Sequence, residues 1–202
     1  MGKCSQNMEK AVNFAKKHGM IRVRDAIKEG IHPENLRRLC KKGLLVKMAR
    51  GIYIPADSEV SQNVGLAQVS KRVPHGVICL LSSLQFHDIG TQSPFEVWVA
   101  IDQKAAEPKI DYPPIRIVRF SGKALSEGIE IHLIEGVEVK IYNKAKTIAD
   151  CFKFRNKIGL DIALEALKDS RQRKLCTNDQ IWEYAKLCRV SNIMKPYLEA
   201  ML

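Results

Sequence analysis

The chain has 202 residues, of which 46% are hydrophobic, and a formal net charge of +11. That length fits one large domain or a small domain joined to a medium one, and the apolar share is enough for a packed core. No stretch approaches the 18 apolar residues of a membrane span, and MGKCSQNMEK at the N-terminus has no apolar run suited to a signal peptide, so a cytoplasmic protein with no membrane partner is expected. The charge is uneven. Residues 1–60 carry 13 Lys and Arg against 6 Asp and Glu; the other 142 carry 20 against 16. A basic N-terminal region points to a polyanionic partner, although some basic proteins bind none.

In chain order, Met8, Ala11, Val12 and Ala15 recur at helical spacing, and the pattern predicts a first helix from a Ser5 cap to Lys17, stopped by Gly19. A second short helix fits Val23 to Glu29, with Ala26 and Ile27 inward and Gly30 ending it. His32-Pro33 opens a third, running to Lys42 and ended by Gly43, with Leu36, Leu39 and Cys40 as its buried stripe. Val46–Met48 and Ile52–Ile54 are β-prone, and Ala49-Arg50-Gly51 suits a tight hairpin between them. Helix, helix, turn, helix, hairpin is the order of a winged helix-turn-helix. Pro55-Ala56-Asp57-Ser58-Glu59 is turn-rich and marks a boundary, giving a winged helix over 1–57 and a second domain over 58–202.

In the second domain, helices are expected at 61–73 and 80–87. Strands follow at 95–101, 115–120, 129–134 and 137–142, the last two joined by Glu135-Gly136. Helices return at 145–154, at 160–171, from the capping box Thr177-Asn-Asp-Gln180 to Cys188, and from Ser191, where Pro196 bends the helix or delays its start. The class is α+β: an N-terminal winged helix-turn-helix, then a mixed domain with a mainly antiparallel sheet and a helical C-terminal third.

The stretch LRRLCKKGLLVKMARGIYIP, residues 36–55, carries the chemistry. A recognition helix lies in the major groove with its exposed N-terminal side chains at base edges, here Glu34, Asn35, Arg37 and Arg38. Asn pairs with adenine and Arg with guanine. Lys41, Lys42, Lys47 and Arg50 suit backbone phosphates, with Arg50 at the wing tip; Arg22 and Arg24, flanking the start of the second helix, suit phosphate too, and Tyr53 stands on the wing strand. A winged helix can instead bind protein, but an acidic face would favour that reading and this face is basic.

A second basic stretch, KIYNKAKTIADCFKFRNK at 140–157, holds Lys140, Lys144, Lys146, Lys153, Arg155 and Lys157 with the single acid Asp150. It is either a second surface for nucleic acid or a partner, or a solvated helix face beside Ile148, Cys151 and Phe152. Glu138-Val-Lys140 has the ExK form seen in metal-dependent nucleases, but such a site needs another acid, and the nearest upstream, Asp111, sits in a proline-rich loop. The histidines at 18, 32, 75, 87 and 132 form no HxH or HExxH spacing, and no Gly-rich phosphate loop, GxSxG or CxxC occurs. No metal, cofactor or catalytic residue is therefore expected, and Cys40, Cys79 and Cys151 read as core residues.

Five segments in order, Gly30-Ile31, residues 36–55, LLSSLQFHDIG at 80–90, FEVWVAI at 95–101 and KAKTIADCFKFRNKIGLDIALEALKDS at 144–170, resemble the AbiEi family of antitoxins and transcriptional regulators over residues 8–200. The resemblance implies a winged helix followed by an antitoxin domain. It implies repression of the protein's own promoter through inverted repeats in double-stranded DNA. It also implies type IV opposition to an AbiEii-type nucleotidyltransferase toxin without need of a stable complex. Relatives usually cap the recognition helix with Ser or Thr, where this chain has His32-Pro33. Some members are solitary, so a lone winged-helix factor with a sensing C-terminal domain is the alternative. Others carry a fused nuclease domain, which is not expected on a chain whose last residue is Leu202.

Overall fold

A computed structural model describes the backbone of residues 3–18, 21–49, 51–56, 63–110 and 112–200. Gly19, Arg50, the linker residues Asp57, Ser58 and Glu59, Ser61 and Asp111, all given roles above, lie outside the described residues. The chain divides into a first unit, Met1–Pro74 with His132–Val139, and a second, His75–Ile131 with Lys140–Leu202.

In the first unit α1 (Lys3–His18) leads through β1 (Ile21–Arg22) into α2 (Val23–Lys28), then α3 (Pro33–Lys41), β2 (Leu45–Ala49), β3 (Ile52–Pro55) and α4 (Val64–Arg72). The three strands form an antiparallel sheet in the order β1-β3-β2. This is a winged helix-turn-helix, in which the two-residue β1 closes the sheet against β3. The α2–α3 turn is set by Gly30, at φ +73°, which lets Ile31 N–H reach back to the Ala26 carbonyl at 2.8 Å. Gly43, at φ +70°, ends α3 the same way, with Leu44 N–H donating to the Leu39 carbonyl at 3.0 Å. α3 begins with Pro33 in its first turn, and the His32 ring supplies the cap: Nδ1 accepts from Glu34 N–H at 3.2 Å. The core gathers Ala11, Ala15, Ile21, Ala26, Ile31, Leu36, Leu39, Leu45 and Tyr53.

Two expectations fail in this unit. α1 starts at Lys3, so Ser5 lies inside it. Ile27 is 53% exposed, because α2 has only six residues and turns Ala26 inward. Leu44 is also exposed: β2 opens at Leu45, and that residue takes the inward position.

The second unit contains β4 (Val77–Ile78), α5 (Leu80–Phe86), β5 (Val97–Asp102), β6 (Ile115–Phe120), α6 (Lys123–Ser126), β7 (Ile129–Ile134) and β8 (Val137–Tyr142), the β7–β8 tip being counted with the first unit. Then come α7 (Lys144–Lys153), α8 (Arg155–Ile158), α9 (Leu160–Gln172), α10 (Asn178–Leu187) and α11 (Ser191–Ala200), which runs through Pro196. The sheet order is β6-β5-β4-β8-β7. β4 meets β5 antiparallel, but β5 meets β6 and β4 meets β8 in parallel, so the sheet is mixed rather than mainly antiparallel. The connection over 103–114 is long enough to carry the chain back to the start of β6, which parallel pairing requires and a hairpin does not. α7 is buried on nearly every side and forms the centre of the core with Tyr142, Phe120, Ala163, Leu167, Ile181 and Ala185. The expected capping box is present: Gln180 N–H donates to Thr177 Oγ1 at 3.2 Å, and Thr177 N–H donates to Gln180 Oε1 at 2.9 Å.

Candidate nucleic-acid interface

α3 buries Leu36 and Leu39 and turns its charged residues outward. The Arg37 side chain is 71% exposed, Arg38 is exposed, and Lys41, Lys42 and Lys47 are exposed with them, while Asn35 is half-buried. Glu34 holds both arginines loosely: Arg37 Nη1 lies 3.4 Å from Glu34 Oε2, and Arg38 Nε lies 3.8 Å from Oε1. Exposed pairs of this kind contribute about 0–1 kcal/mol, so the guanidinium groups can leave Glu34 for a stronger anion. The helix thus orients two forked donors at its open face and sets point charges one turn further on.

Two residues expected beside this face, Tyr53 and Arg22, stand differently. Tyr53 is buried in the core of the winged helix, opposite Ile21 and Lys47 in the sheet, and burial raises its hydroxyl pKa. A side chain so placed supports the wing from within the core. Arg22 is only 8% exposed, and Arg50, between β2 and β3, lies outside the described residues. Arg24 is exposed, with Nε 3.6 Å from Asp25 Oδ1.

The basic stretch over 140–157 is less of a surface than its composition suggests. Lys146 is fully buried, because α7 faces the core all round. Its Nζ donates to Asp150 Oδ2 at 2.5 Å, one helical turn on, and lies 4.1 Å from the Tyr142 ring centroid and 4.9 Å from that of Phe120. Cys188 Sγ donates to the other Asp150 oxygen at 3.2 Å. Burial pushes the Asp150 carboxyl up from the usual carboxylate range, and Lys146 opposes that. Lys140, Lys144 and Arg155 are half-buried, and Arg155 Nη1 donates to the Phe152 carbonyl. Lys153 and Lys157 remain exposed, over the rings of Phe120 and Phe154.

Glu138 is exposed on β8 with Lys140 half-buried two residues on, and no cluster of three His, Cys, Asp or Glu among the described residues could hold a metal. Among the described residues no helix is long and apolar enough to cross a membrane. A shallow pocket between α10 and α11, about 260 Å³, is lined by Asn178, Asp179, Trp182, Lys195, Leu198 and Glu199. Sequence reasoning passed over Lys71 and Arg72. They stand in the last turn of α4, and Lys71 Nζ is 3.9 Å from Asp25 Oδ2. Two adjacent cations before Pro74 were the signal, and they read as an ordinary helix end.

Fold and face together define a winged-helix domain with a basic recognition helix. Residues 9–56 match the family described as "Transcriptional regulator, AbiEi antitoxin", so the resemblance drawn from the sequence holds over the segment that forms the winged helix. That is a family of regulators and antitoxins rather than of enzymes. No curated protein matches the chain. The crystal structure of the RV2827C protein from Mycobacterium tuberculosis shares the fold, with a TM-score of 0.55 at 12% identity over 98% of this chain and 80% of that one.

Proposed function

We propose that this protein is a DNA-binding antitoxin and autorepressor of a type IV toxin–antitoxin operon, cytoplasmic and without enzymatic activity, acting against a nucleotidyltransferase-type toxin. The observation that carries the reading is the match of residues 9–56 to a regulator and antitoxin family, on a winged helix whose α3 exposes Arg37, Arg38, Lys41 and Lys42. In this reading Asn35, Arg37 and Arg38 meet base edges in an inverted repeat of the protein's own promoter. Lys41, Lys42, Lys47, Arg24 and Arg50 meet phosphates. Glu34 holds the two arginines apart from solvent anions until DNA takes its place. Residues 58–202 supply the antitoxin function, with Lys153 and Lys157 as their exposed basic contacts.

Duplex carrying the upstream repeat should bind with an affinity that falls steeply with salt. Arg37→Ala/Arg38→Ala should lose the preference for the repeat over unrelated duplex, at about 1–3 kcal/mol per bidentate contact. Lys42→Ala should weaken both duplexes alike and lower the salt slope by about 1. Unchanged discrimination in the double variant would sink the assignment of α3. The antitoxin half is tested by inducing the adjacent nucleotidyltransferase gene with and without this chain: rescue of growth supports it, and continued arrest opposes it.

A further inference from the structure

Arg22 pairs with Ile52 across the three-stranded sheet and stands just before α2. Its side chain is 92% buried, yet Nε and Nη2 have no hydrogen-bond partner among the described residues. A guanidinium has five donors, and burying it without acceptors is strongly unfavourable. The charges acting on it do not compensate: Arg24 and Arg72 repel it, and Asp25 attracts it. Desolvation first, and then these repulsions, pull its pKa down to about 10. Among the described residues the carboxylate acting on it, Asp25, is shared, with Arg24 Nε at 3.6 Å and Lys71 Nζ at 3.9 Å, both beyond hydrogen-bond distance.

We propose that this corner of β1, α2 and α4 binds a phosphate group, which accepts from Nε and Nη2 of Arg22 and draws in Arg24, Lys71 and Arg72 in place of Asp25. The geometry selects the ligand. Nε and Nη2 form one edge of the guanidinium, two parallel donors that match two oxygens of a phosphate. Such an anion satisfies the orphaned donors of Arg22. The same chemistry can come from a backbone phosphodiester of bound duplex or from a free phosphorylated small molecule. Only the first source rests on the DNA-binding reading, and the site is separate from the base-reading face of α3.

Two measurements on the full chain test it. In the first, thermal stability is compared in pyrophosphate and in chloride at equal ionic strength. In the second, affinity for an unrelated duplex is measured against salt, with Lys168→Met on the exposed face of α9 as a charge-matched control. A free phosphate ligand predicts that pyrophosphate stabilises the wild type and that Arg22→Gln and Lys71→Met abolish the shift. A backbone phosphate predicts that Lys71→Met weakens duplex binding about five- to tenfold relative to the control, with a salt slope smaller by about 1. Asp25→Asn should tighten binding by a similar factor from either source, measured against Glu183→Gln on the exposed face of α10, which removes one negative charge away from the cluster. Should Arg22→Gln fail to fold, the Lys71 and Asp25 variants carry the test. Absence of duplex binding by the wild type would remove the DNA-binding reading and leave the pyrophosphate arm to decide. The proposal is overturned if pyrophosphate shifts wild type and variants alike and both helix variants bind duplex as their controls do.

Discussion

Lys146 in the second unit and Arg22 in the first are both buried cations, and their surroundings differ in kind. Lys146 meets a carboxylate one turn along its own helix, with the faces of two aromatic rings beside it, and the far oxygen of that carboxylate is taken up by a cysteine thiol. Every strong polar atom there has a partner, which is what full burial demands. Arg22 has a divided carboxylate, cationic neighbours and orphaned donors. A closed set of partners makes a buried charge part of the scaffold; an open set leaves work for a ligand. Composition alone shows both as basic stretches and does not separate them.

The largest effect that would sharpen this contrast is at Asp150. Asp150→Ala leaves Lys146 charged and buried without its partner, and the expected loss is about 3–5 kcal/mol of stability. Both tryptophans, Trp98 and Trp182, belong to the second unit, so their fluorescence during denaturant unfolding reports this unit alone. The double variant Lys146→Met/Asp150→Leu should recover most of the loss, because it removes the ion pair instead of breaking it. A loss below about 1 kcal/mol in Asp150→Ala would mean that water reaches Lys146, and the contrast would fail.

Next in size are two glycines of matched backbone. Gly128 and Gly30 have φ of +76° and +73°, so alanine at either meets the same left-handed strain, about 1–2 kcal/mol. A Cβ at Gly128 would stand 2.9 Å from Lys146 Cβ and 3.1 Å from Tyr184 Cε1, whereas at Gly30 the nearest atom is Lys10 Nζ at 3.9 Å. Gly128→Ala should therefore cost about 1–3 kcal/mol more than Gly30→Ala, the difference measuring how tightly the backbone at Gly128 packs on Lys146 and Tyr184.

Alkaline pH should act in opposite directions through Cys188 and through Arg22. Burial first, and then repulsion from Asp150, raises the Cys188 thiol to about 12 from 9.0. Above pH 9 the unfolded chain gives up this proton and the folded chain keeps it, so stability is intact below 9 and falls as pH rises towards 12. The loss is about 1.4 kcal/mol per pH unit. Cys79, Cys151 and Tyr142 are raised as well, mainly by burial, and steepen the fall. Cys188→Ala should remove one such increment from the slope seen by tryptophan fluorescence. Arg22 has the opposite sign: its folded pKa of about 10 lies below the usual arginine value, so its cost is relieved as pH rises above 10. Far-UV circular dichroism of Arg22→Gln against wild type on both sides of pH 10 tests this.

The winged helix was legible because its signals are local. Gly30 and Gly43 stop two helices, Pro33 starts one, and the leucines at 36 and 39 share a face. The second unit was legible as elements but not as pairing. β4 has two residues and no periodicity to show, yet it joins β5 to β8 and makes the sheet mixed. Among the site residues, Arg37, Arg38, Lys41 and Lys42 could be placed from helical spacing. Lys146 could not, because a lysine four residues before an aspartate has the same pattern on a surface helix as in a core. Arg22 and Tyr53 lie on strands whose outward alternation is lost when both faces are covered: all four residues of β3 are buried.

The smallest expected effect is the most direct check on the open cluster. Asp25→Ala removes the carboxylate between Arg24 and Lys71, but its contacts are long and Arg24 is largely exposed, so the loss should be about 1 kcal/mol or less. That small loss should shrink further in ~1 M NaCl, where charges are screened over about 3 Å, while the loss in Asp150→Ala should hardly change because no salt enters its surroundings. Equal salt dependence at both positions would mean that the two clusters are alike. A salt-sensitive Asp25 beside a salt-insensitive Asp150 would show that the first carboxylate is a replaceable counter-charge, which is the condition under which a phosphate can take its place at Arg22.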